Sequence, residues 1–400
     1  MMGFELVKDI AVSTASKIVM LVIDGLGGLP GRDGKTELES ARTPNLDELV
    51  RIGSAGLTQP VGPGITPGSA PGHLALFGYD PIAYNIGRGV LEALGVDFDL
   101  KPGDVAARGN FCTVNTNGEI TDRRAGRIST EESTRLCAML DGQEIDGVQI
   151  IVRPVKEHRF ILVLRGEGLS ARLADTDPQR LGVAPLPAVP AVPEAERTAR
   201  VLNEFLILAK DALAGRAAAN MFLLRGFSGR PNFPAFGDAY KLKPAAIAGY
   251  PMYRGLARVL GMDVRPTESD VVGEIAALKR DFANYDFFFL HIKGADAAGE
   301  DGDFARKVAA IEEVDRIVPE ITALAPDVLV VAGDHSTPAA ISGHSWHDVP
   351  CLISSKWCRP DGLPKFGEAY CRLGSLGIMP ATALMPLVMA HAQKLNKYGA

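Results

Sequence analysis

An α/β fold with a mainly parallel sheet flanked by helices, interrupted by a smaller inserted α/β domain, is what this 400-residue sequence predicts. Three observations carry that expectation. Apolar, β-rich runs at 18–23 and 328–332 are continuous rather than alternating, as strands covered on both faces require. Strand-like runs alternate with helical patterns through the last third of the chain, as βαβ units do. From about residue 104 the texture shifts to shorter strand-like pieces. Residues 1–103 and 233–400 therefore read as one discontinuous core, and 104–232 as an insertion.

Taken in order, residues 17–23 form a strand that runs straight into Asp24 of Asp24-Gly-Leu-Gly-Gly. A helix over 40–50 is opened by Thr43-Pro44, with threonine as cap and proline at the first helical position. Residues 60–73 hold so much glycine and proline that no regular element is expected, and such a loop can fix Ser69 at one angle. Inside the insertion, 111–114, 148–152 and 160–164 are strand-like. A proline-rich stretch, 185–193, precedes a helix over 194–213, and the insertion closes after the run 220–225. Beyond it, strand-like 245–248, 286–291 and 328–332 alternate with helical patterns at 253–260 and 303–318. There is no internal repeat and no low-complexity segment.

Composition narrows the partners. A charged fraction of 22% and a net charge of −6 leave no basic excess to neutralise a nucleic-acid backbone. Five widely spaced cysteines, with no Cys-x-x-Cys pair, read as thiols of a reducing compartment. The first apolar run is short and stops at Asp24, so neither a signal peptide nor a membrane span is expected, and the location is read as cytoplasmic. The oligomeric state stays open.

Four of the seven histidines lie between 291 and 347. Asp334-His335 ends a buried run, and His344 follows in Gly343-His-Ser-Trp-His347. Aspartate beside histidine at the carboxyl edge of a strand is where open α/β sheets place ligands. The mixture of imidazole and carboxylate suits Zn²⁺ or Mn²⁺. Asp24, Ser69 in its loop, and His291-Ile-Lys-Gly-Ala-Asp296-Ala-Ala-Gly-Glu300 add similar groups. Together they fit a two-metal site flanking a phosphoryl group, with Ser69 as the activated nucleophile.

Plainer roles stand beside these. Asp24 can cap a turn, Ser69 can be a turn residue, and His291 after Phe-Phe-Phe-Leu reads as a core or edge histidine. His158 and His391 read as surface residues. The arginines of Asp122-Arg-Arg-Ala-Gly-Arg127, Arg225 and Arg254 can be solvated charges, yet a phosphorylated carboxylate needs such guanidinium forks.

Taken together, the segments resemble the archaeal-type cofactor-independent (2,3-bisphosphoglycerate-independent) phosphoglycerate mutases of the alkaline phosphatase superfamily. The likeness runs over nearly the whole chain. It rests on Val22-Ile-Asp-Gly25, Thr66-Pro-Gly-Ser-Ala-Pro-Gly-His-Leu-Ala-Leu-Phe-Gly-Tyr-Asp-Pro81, Gly87-Arg-Gly-Val-Leu-Glu-Ala93, Asp122-Arg-Arg-Ala-Gly-Arg-Ile128 and the Asp-His pair. The resemblance implies an alkaline-phosphatase-like core, a substrate-binding or lid domain, and an active site in the cleft between them. It implies a transient phosphoserine at Ser69 and two divalent ions, Mn²⁺ foremost, with Mg²⁺, Co²⁺ or Zn²⁺ as alternatives and no 2,3-bisphosphoglycerate. Asp24, Ser69, Asp334 and His335 would hold one ion; Asp296, Glu300 and His344 the other. His73 would touch the substrate phosphate, and Arg124, Arg127, Arg225 and Arg254 would anchor phosphate and carboxylate.

Three positions depart from the family pattern. Glu300 stands where the family usually has histidine, which hardens that site, and Trp346 and His347 replace small residues, so a ligand set using His347 is conceivable. The reaction implied is interconversion of 3-phosphoglycerate and 2-phosphoglycerate. The alternatives are a metal-dependent phosphatase or phosphotransferase on another small phosphate ester, and a catalytically impaired binding protein with one metal site lost.

Overall fold

A computed structural model describes residues 4–84, 86–231 and 233–399. It divides into two compact units, 1–85 with 233–400, and 86–232. In chain order, β1 (Ile18–Ile23) and β2 (Ser54–Gln59) belong to the first unit. β3 (Val105–Val114), β4 (Ile120–Asp122), β5 (Glu144–Ile145), β6 (Val148–Lys156), β7 (Arg159–Arg165) and β8 (Met221–Gly229) belong to the second. β9 (Pro244–Ala248), β10 (Asp263–Val264), β11 (Phe287–Ile292), β12 (Val328–Ala332), β13 (Val349–Ser355) and β14 (Gly377–Pro380) return to the first.

The first unit is built on an eight-stranded sheet in the order β10-β9-β11-β1-β12-β13-β2-β14. The five strands from β10 to β12 are mutually parallel, and β13 alone runs against its neighbours. Every residue of β1, β11 and β12 is buried, which is why these strands read as unbroken apolar runs. Val19, Leu21 and Ile23 face helices Pro44–Ile52, Val271–Asp281 and Phe304–Thr322, against side chains such as Leu46, Leu278 and Ile317. Burying the six side chains of β1 stabilises by on the order of 10 kcal/mol before chain entropy is counted.

Two expectations are corrected, one in each unit. Residues 60–73 are not wholly irregular: Ser69–Leu76 is an α-helix, with Gly68 as cap and Pro71 in its first turn. Proline is tolerated there because the first N–H groups of a helix have no intrahelical partner. His158 is not a surface residue but only 4% exposed, and burial lowers its pKa to about 4. It belongs to the second unit, where its backbone carbonyl accepts from Phe111.

The second unit starts at 86, not at 104. Helix Arg88–Gly95 buries Val90, Leu91 and Ala93 and packs on β3 and β8. Gly89 lies so close to β3 that a Cβ would sit 2.4 Å from the Ala106 carbonyl oxygen. Local pattern cannot tell which core an amphipathic helix joins, so the boundary was invisible in the sequence.

The sheet of this unit runs β4-β3-β7-β6-β5, with β8 paired to β3, and every pairing is antiparallel. One face, with Ala107, Phe111, Phe160, Leu162 and Phe222, packs with residues of helices Thr130–Leu140 and Glu196–Ala212. The alternation leaves Arg108, Asn110, Arg159 and Arg225 on the opposite face. Among the described residues no helix is long and apolar enough to cross a membrane.

Candidate active site

Because β9, β11, β1 and β12 are parallel, their carboxyl ends share one edge of the sheet, and the residues that follow them converge there. Asp24 follows β1, Lys293 follows β11, and Asp334 and His335 come just after β12. Helix Ser69–Leu76 reaches the same edge. Gly72 makes this possible, since a Cβ there would sit 2.2 Å from the Asp334 carbonyl oxygen.

Asp24, Asp334 and His335 are fully buried, with ligand atoms within 4.8 Å of one another. His335 Nε2 lies 3.4 Å from Asp24 Oδ1, 3.2 Å from Asp334 Oδ2 and 3.2 Å from Ser69 Oγ. The hydrogen bonds settle the tautomer. Thr337 donates its hydroxyl proton to Asp296 Oδ1 at 2.6 Å, so at 2.9 Å it accepts from His335 Nδ1–H. Nε2 is left as a lone pair facing two carboxylates. Asp24 Oδ1 and Asp334 Oδ2 have no hydrogen-bond partner, which is costly for buried oxygens unless a cation sits against them. This donor set fits a divalent ion.

A second group joins Asp296, His335 and His344. His344 donates Nδ1–H to the Pro67 carbonyl at 2.9 Å, leaving its Nε2 lone pair 3.6 Å from Asp296 Oδ1. Orientation of a ligand imidazole by its other nitrogen is the usual metal-site arrangement. Since His335 has only Nε2 free, it serves the first group, and Asp296 with His344 carries the second. Glu300, at the end of helix Gly294–Glu300, is at the margin: its Oε1 is 3.7 Å from His344 Nε2 and its side chain is 55% exposed. His347 lies outside both groups, sharing a hydrogen bond with Ser345 and stacked on Trp346.

Several site residues lie outside the expected ligand set. Lys293 lies 3.1 Å from Asp24 Oδ2, pairs with Asp296 and donates to the Tyr253 hydroxyl at 3.2 Å. Burial pulls its pKa down, but Asp24 and Asp296 outweigh burial and hold the ammonium charged. Tyr253 donates to Asp24 Oδ2 and stacks on His291 at 3.7 Å. His291, fully buried, donates Nε2–H to the same oxygen at 3.1 Å, so it supports Asp24. Burial pushes the Asp24 carboxyl up, yet the His291 hydrogen bond and the Lys293 charge hold it well below the usual range. The available signal for His291 and Lys293 was their place at a strand end.

His73, expected to touch the substrate phosphate, is held by the protein itself. It has no exposure; its Nδ1–H donates to the Ser69 carbonyl at 2.8 Å and lies 3.0 Å from Asp334 Oδ2, while Nε2 has no partner. One helical turn past Ser69, it is directed inward behind Asp334. Arg254, on helix Pro251–Val259 of this unit, donates to the Gly249 carbonyl at 3.2 Å.

The remaining arginines belong to the second unit. Arg124 and Arg127 are exposed in a turn where Ala125, Gly126 and Arg127 all have positive φ. Arg225 lies 3.6 Å from Asp175 and 3.8 Å from Asp177. Its strand neighbour Arg108 is 3.1 Å from Glu92. Burial lowers the Arg108 pKa, Glu92 opposes that, and the nearby charges of Arg159, Arg88 and Arg225 lower it further. The Nε atoms of Arg108, Arg159 and Arg225 have no hydrogen-bond partner. Such crowding of cations suits a bound anion. Arg108 and Arg159 were missed because their convergence depends on strand register.

A curated protein of Thermus thermophilus, described as a probable 2,3-bisphosphoglycerate-independent phosphoglycerate mutase, is 49% identical over 403 residues, covering 99% of each chain. One of Deinococcus radiodurans with the same description is 50% identical over 405 residues, again covering 99% of each. The chain belongs to the 2,3-bisphosphoglycerate-independent phosphoglycerate mutases. The model of that family matches residues 51–218. Among solved structures, a cofactor-independent phosphoglycerate mutase of Thermoplasma acidophilum is 32% identical, with TM-score 0.73 and 94% and 100% of the two chains covered. A Pyrococcus horikoshii protein superposes with TM-score 0.84 at 30% identity, covering 96% of this chain and 99% of that one. Family membership and the ligand-like edge of the sheet thus point to one chemistry.

Proposed function

We propose that this chain interconverts 3-phosphoglycerate and 2-phosphoglycerate through a phosphoserine at Ser69. The observation that carries the reading is the Ser69 hydroxyl, 3.2 Å from His335 Nε2 and next to the unpartnered oxygens of Asp24 and Asp334. Two divalent ions, Mn²⁺ foremost, held by Asp24, Ser69, Asp334 and His335 and by Asp296, Glu300 and His344, would favour the serine alkoxide and offset phosphoryl charge.

The rest follows from the chain's own groups. Ser69 Oγ gives up its proton and bonds to phosphorus as the bond from phosphorus to the substrate oxygen breaks, and that oxygen takes up a proton in exchange. The glycerate turns, and its other hydroxyl attacks the phosphoserine, giving up its proton and regenerating Ser69. Ser69 is the first residue of its helix, where free backbone N–H groups and the helix dipole favour a phosphate. Lys293 holds a positive charge beside the transfer site. Arg124, Arg127, Arg225 and Arg254, with Arg108 and Arg159, are assigned to the anionic ends of the substrate. We assign the inserted unit the task of reading that small phosphorylated carboxylate. No 2,3-bisphosphoglycerate is required, because the phosphoryl group is stored on the serine. A cytoplasmic location is part of the reading, supported by five free cysteines, four of them buried.

An enolase-coupled assay with Mn²⁺ and no 2,3-bisphosphoglycerate tests it. Formation of 2-phosphoglycerate from 3-phosphoglycerate is expected. Release of inorganic phosphate alone would replace the mutase by a phosphatase, and Mn²⁺ binding without any turnover by an impaired binding protein.

A further inference from the structure

Behind the ligand loops lie two buried charges that the metal reading does not use. Lys307, on helix Phe304–Thr322, has no exposure, and its ammonium donates to the carbonyl oxygens of Gly27 at 2.8 Å and Thr337 at 2.9 Å. Gly27 is three residues after Asp24, and Thr337 two after His335. Glu37 is equally buried; it accepts from the N–H groups of Leu29 at 3.2 Å and Ala339 at 2.7 Å. A cation and an anion therefore bridge the same two loops, one through carbonyls and one through N–H groups. The loops also meet directly, Thr337 N–H donating to the Gly27 carbonyl at 3.0 Å. The Thr337 side chain passes this register to the ligands, since it bonds both Asp296 and His335.

Buried charges are costly, and apolar residues of similar volume often pack as well or better. Here the two charges satisfy the Thr337 carbonyl and the N–H groups of Leu29 and Ala339, and give the Gly27 carbonyl a second donor. They also act at the segments where ligand placement is decided.

We propose that Lys307 and Glu37 are positioning residues that clamp the 24–29 and 334–339 loops in register, bringing Asp24 against Asp334 and His335 and setting the affinity of that metal site. The proposal rests on the metal reading above, and the test separates the two.

Mn²⁺ binding is measured by titration calorimetry on the full chain, for wild type, Lys307→Met, Glu37→Gln and Lys394→Met, with thermal unfolding recorded in metal-free buffer. Lys394 is the control: also fully buried, it donates to the Thr14 carbonyl at 2.7 Å and lies 3.3 Å from Asp286, away from the ligand loops. Lys307→Met and Glu37→Gln are expected to weaken Mn²⁺ binding by about tenfold or more, as loss of groups that orient metal ligands does. Lys394→Met is expected to lower Tm and bind Mn²⁺ like wild type. Unchanged affinity in Lys307→Met and Glu37→Gln would overturn the proposal, as would equal weakening in Lys394→Met. If Lys307→Met does not fold, the affinity of Glu37→Gln set against that of Lys394→Met decides between these outcomes. Wild type that binds no Mn²⁺ would overturn the metal reading itself, and this inference with it.

Discussion

The two units present their reactive groups in opposite ways. In the core, Asp24, Asp296, Asp334 and His335 end the strands of a parallel sheet or follow them closely, and none has any exposure. In the inserted unit, Arg108, Arg159 and Arg225 stand on one face of an antiparallel sheet and remain partly exposed. A sealed carboxylate must have a fixed cation, because low dielectric punishes an unpaired charge. A partly exposed guanidinium is less costly, and Arg108 beside Glu92 and Arg225 beside Asp175 and Asp177 do not depend on a fixed ion. The contrast is between sealed carboxylates and partly exposed guanidinium groups, and the proposed function assigns a resident ion to the first and a diffusing ligand to the second.

The largest effect that would break this contrast is expected from the nucleophile. Ser69→Ala should lower turnover in the enolase-coupled assay by about 10³-fold or more, with an unchanged circular dichroism spectrum. Activity near wild type would detach the serine from the buried cluster. Next comes the resident ion: Mn²⁺ at about 100 times its Kd should stabilise the fold by about 2.7 kcal/mol relative to chelator-treated protein, read as a rise in Tm. No shift in Tm would mean the core carboxylates hold nothing.

On the inserted face, Arg225→Met should raise KM for 3-phosphoglycerate by about tenfold to a hundredfold, the worth of a charge-assisted hydrogen bond, with a smaller change in kcat. An equal fall in kcat with constant KM would make that arginine part of the transfer step instead. The smallest effect sharpens the core side. Glu274 is a buried carboxyl that accepts from Gly249 N–H at 3.0 Å, and burial raises its pKa to about 8. A folded pKa above the unfolded one means that the folded state keeps the proton. The stability it confers is complete below the ordinary carboxyl range and lost as pH rises through about 8. Glu274→Gln should flatten the decline of Tm between pH 5 and 9 by about a few degrees. An identical decline in both proteins would mean that Glu274 is charged throughout.

The ligands legible in the sequence were those that end apolar runs. Asp24 and Asp334-His335 announce themselves because a charged residue directly after a fully buried strand has few other uses. His344 was legible through the local concentration of histidine and the family resemblance. Ser69 was placed among the ligands, but its helix was hidden by the glycines and proline that let it approach Asp334 so closely. His291 and Lys293 stand at the end of buried β11 and share that mark, but Tyr253 does not, and what the sequence hides is that all three meet Asp24. Each converges on Asp24 from more than 200 residues away, through pairing of β1 with β11 or packing of helix Pro251–Val259.

Strand identity, the alternation of elements and the presence of an insertion were therefore set by the sequence alone, because burial period and composition are local properties. Strand order, the unit to which helix Arg88–Gly95 belongs, the burial of His73, the marginal place of Glu300 and the convergence of the arginines were decided only by the tertiary structure. Those depend on which distant surfaces meet, and the free energy of burying one surface against another has no trace in any single segment.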